Sequence, residues 1–154
     1  MGQHARNDET SSLTPWQPNL EDVCDANRAI LEAYRHPEHY KLRDRGFLAQ
    51  ALADACGEHF EAGDSPGAIR AAAKLAHLIA RAHAFRDGNH RTALVVAQTY
   101  LANNDLGALS VLGSDDIELA EHIAGTGIKS QPARYGPEDT AQLLRARFER
   151  LYSR

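Results

Sequence analysis

Residues 83–94 read HAFRDGNHRTAL. Two histidines, an acid, a Gly-Asn pair and an arginine crowd into its first nine positions: His83, Asp87, Gly88, Asn89, His90 and Arg91. Three readings compete for this stretch. The generic one is a helix–turn–helix corner whose polar residues satisfy exposed backbone ends. A second is a metal site built from His77, His83 and His90, but those intervals do not present three imidazoles on one helix face. The third is a phosphate site. The first amides of a helix have no intrahelical partner and bind anions well. Gly88 allows close backbone approach, Asn89 can hydrogen-bond oxygen, and Arg91 can clamp phosphate with two parallel bonds. Asp87 would repel a bare phosphate unless a cation lay between them, which suits it to hold Mg²⁺ in a nucleotide complex. His83 has the chemistry to take a proton from an attacking hydroxyl. Together the parts make a phosphate-transfer site.

Helices must place these groups. Ser65 as N-cap and Pro66 in the first turn start a helix that runs to His83. Ile69, Ala76 and His83 recur every seven residues on its apolar face, so His83 is expected to point inward. Arg70, Lys74, His77 and Arg81 form a solvated stripe on another face. After the Asp-Gly-Asn turn, HRTALVVAQTYLANND is apolar almost all round, as a central helix should be, and Asn103, Asn104 and Asp105 close it. Upstream, Asn19 caps a helix in which Leu20, Val23, Cys24, Asn27, Leu31 and Tyr34 keep helical spacing. A second helix runs through DRGFLAQALADAC and stops at Gly57. Downstream, Ser114 caps DDIELAEHIA, Gly125 ends it, and Pro137 opens a last helix. Apart from a short extended piece near ALSVL, no period-two alternation appears, so the class is all-α.

Composition narrows the field. A chain of 154 residues suits one domain, with residues 1–18 as a polar arm that Trp16 could dock and 19–154 as the body. A net charge of −4 gives no general push toward nucleic acid or an anionic membrane. No apolar run is long enough to span a bilayer and the first residues carry no apolar secretion core. Cys24 and Cys56 lack CxxC spacing and read as reduced core thiols. A cytoplasmic protein is the expectation.

The stretch also resembles the signature of the Fic/Doc (Fido) family, H-x-F-x-[D/E]-G-N-x-R, which His83, Phe85, Asp87, Gly88, Asn89 and Arg91 satisfy position by position. RDRGFLAQALA precedes it at a family-like distance and LANNDL follows it, so the resemblance extends over about residues 20–154 and is closest to the Doc branch. The resemblance implies a Fido-type helical bundle with its catalytic loop between two central helices. It implies His83 as general base, Asp87 as the Mg²⁺ ligand, and Asn89 and Arg91 as phosphate ligands. The amides of Gly88 and His90 would form the anion hole, and Phe85 would anchor the turn in the core. ATP or another nucleotide would be the co-substrate and a protein hydroxyl the acceptor.

Departures from the family pattern bear on the chemistry. Family adenylyltransferases continue with Gly after the Asn and place a second Arg three residues beyond the first, where this chain has His90 and Leu94. Doc proteins also lack both features and carry Lys where His90 stands. The leading reading is therefore a Doc-like kinase that phosphorylates a Ser or Thr of a protein such as a translation factor. The alternatives are a protein adenylyltransferase and a catalytically silent Fido binding module. His90 is expected to be mostly uncharged at neutral pH, because a helix N-terminus disfavours imidazolium. The self-inhibitory pattern of many relatives is spoiled in SDDIEL by Leu119, so a separate antitoxin is the implied brake. The segment ACGEHFEAGD, residues 55–64, is read as an exposed connection beside the site. By resemblance it would be a flap that holds the target through Gly57, His59 and Phe60.

Overall fold

A computed structural model of the protein describes residues 16–109, 116–126 and 132–152, the side chains of residues 58 and 60–62 excepted. Its elements are α1 (Leu20–Ala33), α2 (Arg45–Ala62), α3 (Ser65–Ala82), α4 (Asn89–Asn103), α5 (Ile117–Ala124) and α6 (Pro137–Tyr152). The fold is all-α, and no strand occurs among the described residues. No helix there is long and apolar enough to cross a membrane.

Four of the helices begin where a short polar side chain accepts an orphan amide. Asn19 and Asp22 form a capping box on α1, with Asp22 N–H donating to Asn19 Oδ1 at 2.8 Å and Asn19 N–H to Asp22 Oδ2 at 2.9 Å. Asp44, Asp64 and Asp116 cap α2, α3 and α5. Asp64 thus takes the role expected of Ser65, which is the first helical residue instead. Ser114 lies outside the described residues, as do residues 110–112 of the expected extended piece, while Gly107–Leu109 form a 3₁₀ turn.

Helix α3 packs on α2, α4, α5 and α6, and α4 packs on α1, α3 and α5, so the loop joining α3 to α4 lies between two central helices. Alanines make this possible. Ala68, Ala71, Ala72, Ala73, Ala76 and Ala80 of α3 are all buried and let neighbours approach on several sides. The expected solvated stripe on α3 is therefore incomplete: His77 is buried at 3% exposure. Its Nδ1 lies 2.9 Å from Thr126 Oγ1 and its Nε2 2.7 Å from Thr140 Oγ1, joining α3 to the segment after α5 and to α6.

Two further expectations concern Trp16 and the cysteines. Trp16 N–H donates to Asn104 Oδ1 at 2.9 Å, Asn104 Nδ2 donates to Trp16 O at 2.9 Å, and the indole meets the Tyr100 ring edge-on. Trp16 does dock, on the C-terminal end of α4. Cys24 and Cys56 are free thiols in the core.

Candidate active site

The loop from His83 to Gly88 is bounded by two left-handed residues. His83, the C-cap of α3, has φ 47° and Gly88, the N-cap of α4, has φ 75°. At His83 the chain leaves helical geometry, so the seven-residue repeat that buries Ile69 and Ala76 does not carry on to it. His83 is exposed and faces the cleft instead of the core. Gly88 is needed for its conformation and its surroundings, because a Cβ there would lie 3.2 Å from Asn27 Nδ2.

Between these ends the loop is held from three sides. Phe85 is buried at 1% exposure, as a core anchor should be. Residues 41–43 run beside it as a short antiparallel pairing, with Arg43 N–H to Ala84 O at 2.6 Å and Arg86 N–H to Lys41 O at 2.9 Å. Asn27, on the buried face of α1, donates to Asp87 O at 2.8 Å and to Thr92 Oγ1 at 3.0 Å. Asn89 accepts from Phe85 N–H at 3.1 Å and donates to Phe85 O at 2.8 Å.

That last pair gives Asn89 a structural role. The residue is 8% exposed, and the oxygen and one N–H of the amide serve the loop, so it shapes the site in addition to the phosphate contact expected of it. Replacing Asn89 with Ala leaves a buried N–H and C=O of Phe85 without partners. A loss of about 2 kcal/mol in denaturant-measured stability is expected. Unchanged stability would show that these two bonds contribute nothing net to the fold.

His83, Arg86, Asp87, Gly88, Asn89, His90 and Arg91 line an open cleft of about 320 Å³. No side chain caps α4, so its first amides face the cleft without an intrahelical partner, except that Gly88 N–H already donates to Asp87 Oδ1 at 2.8 Å. Asp87 Oδ2 lies 3.1 Å from His39 Nδ1. The bond from His39, then that from the Gly88 amide, holds the Asp87 carboxyl below the usual carboxylate range, so it is ionised at neutral pH. The His83 and His90 rings meet edge-on with centroids 6.0 Å apart. Partial burial, then His83, holds His90 below the ordinary imidazole range, so it is uncharged at neutral pH as expected. Arg91 donates to the Tyr34 hydroxyl and lies 4.2 Å over that ring, a parked cation at the edge of the cleft.

The expected flap is corrected. Residues 45–62 are one continuous helix, because packing of α2 against α3 outweighs the cost of about 1 kcal/mol for Gly57 in a helix interior. Gly57 is exposed on that helix, and His59 is buried with its Nδ1 on the Tyr100 hydroxyl. The Phe60 side chain lies outside the described residues. The turn at Gly63 and Asp64 starts α3 and His83 ends it, so 18 helical residues, about 27 Å, separate them. A paired helical backbone at that end cannot accept a strand beside His83.

What sequence reasoning missed sits elsewhere. Asn27, Tyr34, His39 and Arg86 all reach the site. Asn27 was legible as an amide on an otherwise apolar helix face. His39 was not, since nothing in its spacing from Asp87 shows that residues 41–43 fold against the loop.

These groups can bind an anion at a helix start, hold a cation on an ionised carboxylate and move a proton at His83. A model of the Fic/DOC family matches residues 17–101, more than half of the chain, from just before α1 nearly to the end of α4. No curated protein matches the chain, and no solved structure does.

Proposed function

Because the chain belongs to the Fic/DOC family, whose members are typically transferases, we propose that it moves the terminal phosphoryl group of ATP to a protein Ser or Thr hydroxyl. The observation that carries this reading is the cleft in which His83, the ionised Asp87, the uncapped start of α4 and Arg91 meet.

The phosphates lie across the first turn of α4, where free amides and the helix dipole favour negative charge. Arg86 and Arg91 add positive charge at the rim, and Arg91 swings from Tyr34 to meet a phosphate with paired donors. Mg²⁺ is bound through one or two carboxylates, water and substrate phosphates, and the single half-exposed carboxylate of Asp87 fits that habit. When bound there, Mg²⁺ would neutralise charge between Asp87 and the nucleotide. His83 takes the proton of the acceptor hydroxyl as its oxygen bonds to the γ-phosphorus. The bond from that phosphorus to the β,γ-bridging oxygen breaks, and ADP leaves.

Phosphoryl transfer is preferred to adenylyl transfer because no second arginine follows on the α4 face. Leu94 occupies that place, 4% exposed, in an apolar groove with Ile30, Tyr34 and Val95. By analogy with the Doc branch, a translation factor is the first target to test and a separate antitoxin the expected brake. Incubation with ATP labelled at the α or the γ phosphate decides the reaction. Label from γ alone appears on the target under this reading; label from α would make the protein an adenylyltransferase, and none from either a binding module.

Arg91→Ala should weaken Mg-ATP binding by about tenfold, the worth of a charge-assisted hydrogen bond. Calorimetric titration reads this directly, and wild-type affinity would place the phosphates away from α4.

A further inference from the structure

Another group of side chains able to ligate a metal lies on the connection between α1 and α2, in the sequence His36-Pro37-Glu38-His39. Pro37–His39 form a 3₁₀ turn, closed by His39 N–H to His36 O at 2.9 Å. Three residues per turn bring side chains i and i+3 into register. The His36 and His39 rings accordingly stack, with centroids 4.7 Å apart and planes 6° apart. The Glu38 carboxylate reaches both, its Oε2 lying 3.6 Å from His36 Nδ1 and 3.6 Å from His39 Nε2. One ligand atom from each of the three residues lies within 4.8 Å of the others. Both ends of the turn are fixed, by His36 N–H to Leu31 O at 2.8 Å and by the pairing of residues 41–43 with 84–86.

We propose that His36, Glu38 and His39 form a zinc site, with water as the fourth ligand and Asp87 behind His39 orienting its ring. Zinc takes nitrogen and oxygen ligands at about 2 Å in tetrahedral array, which sets ligand atoms roughly 3.4 Å apart. The two 3.6 Å separations from Glu38 stand near that value, and the exposed His36 ring turns out of its stack on His39 for both nitrogens to face one ion. Metal-bound histidines commonly donate their other ring N–H to a carboxylate, which fixes the tautomer and raises basicity. His39 is arranged in that way, with Nδ1 on Asp87 Oδ2 at 3.1 Å and Nε2 turned to Glu38. Two imidazoles select zinc over Mg²⁺, a hard cation that favours oxygen. The site shares Asp87 with the proposed transfer reaction but uses it only as a hydrogen-bond acceptor, so zinc binding is read without nucleotide.

Calorimetric titration of the untagged full chain with Zn²⁺, in excess Mg²⁺, tests this. A parallel titration with Co²⁺ reads coordination from visible absorption. One equivalent of zinc should bind, and cobalt should show the intense bands of a four-coordinate site. His36→Ala and His39→Ala should lose both signals. All three ligands are at least partly exposed, and circular dichroism verifies that the variants fold. Asp87→Ala, which removes the acceptor, should weaken zinc binding by about 10–100-fold without removing it. Absence of zinc binding overturns the site, as does binding that survives His39→Ala or is lost in a His83→Ala, His90→Ala double variant. Wild-type affinity in Asp87→Ala overturns the orienting role of that carboxylate.

Discussion

Substitution of His83 by alanine lowers turnover by about 10²–10⁴, the usual worth of a positioned general base, while folding and nucleotide affinity stay near wild type. The structural grounds are its exposure and its place. His83 lies at the end of α3, open to the cleft, outside the buried core. Removing its ring leaves the loop's own supports intact, namely Phe85 in the core and the bonds made by Asn27 and Asn89. The left-handed backbone at His83 requires a second variant, because alanine is less at ease than histidine at φ 47°. His83→Asn suits that conformation and carries no base. Loss of labelled-phosphate transfer in both variants, with calorimetric nucleotide binding retained, assigns the effect to proton transfer. Wild-type turnover in either one removes His83 from the chemistry.

Acidification should destabilise the protein through His77. Thr126 Oγ1 donates to Ile123 O at 2.6 Å, so it accepts from His77 Nδ1–H, and His77 Nε2 is left to accept from Thr140. The pocket is built for a neutral imidazole. Burial, then the neighbouring His122, pushes the His77 pKa down to about 4 from an ordinary 6.5, with Asp139 opposing weakly. The unfolded chain therefore binds the proton more readily than the folded one. Stability is fully present above the unfolded value and is lost as pH falls from 6.5 toward about 4. The full loss from this one group is about 3 kcal/mol, a large part of a small domain's stability. Denaturant midpoints measured from about pH 7 to about pH 4.5 should fall steeply for the wild type and less steeply for His77→Gln. Parallel profiles would show that His77 charges without cost.

The helical class, most helix ends and the motif itself were legible in the chain. Asn19, Asn104, Gly125 and Pro137 stand at helix boundaries because caps and stops are local: a side chain answers an amide or carbonyl a few residues away. The cleft residues other than Arg86 were legible for the same reason, since His83 to Arg91 are brought together by one short loop.

Tertiary structure decided what depends on residues far apart in sequence. Gly57 reads as a helix stop, yet packing of α2 on α3 carries the helix to Ala62 and buries His59. The periodicity of α3 does not show that a left-handed C-cap turns His83 outward, nor that α6 covers His77. Nor does the motif show that the Asn89 amide holds the buried Phe85 backbone. His39 meets Asp87 across 48 residues only because residues 41–43 lie along the loop. Local backbone chemistry is written in neighbouring residues, whereas which face is buried, and which polar group is already satisfied, depends on what packs against it.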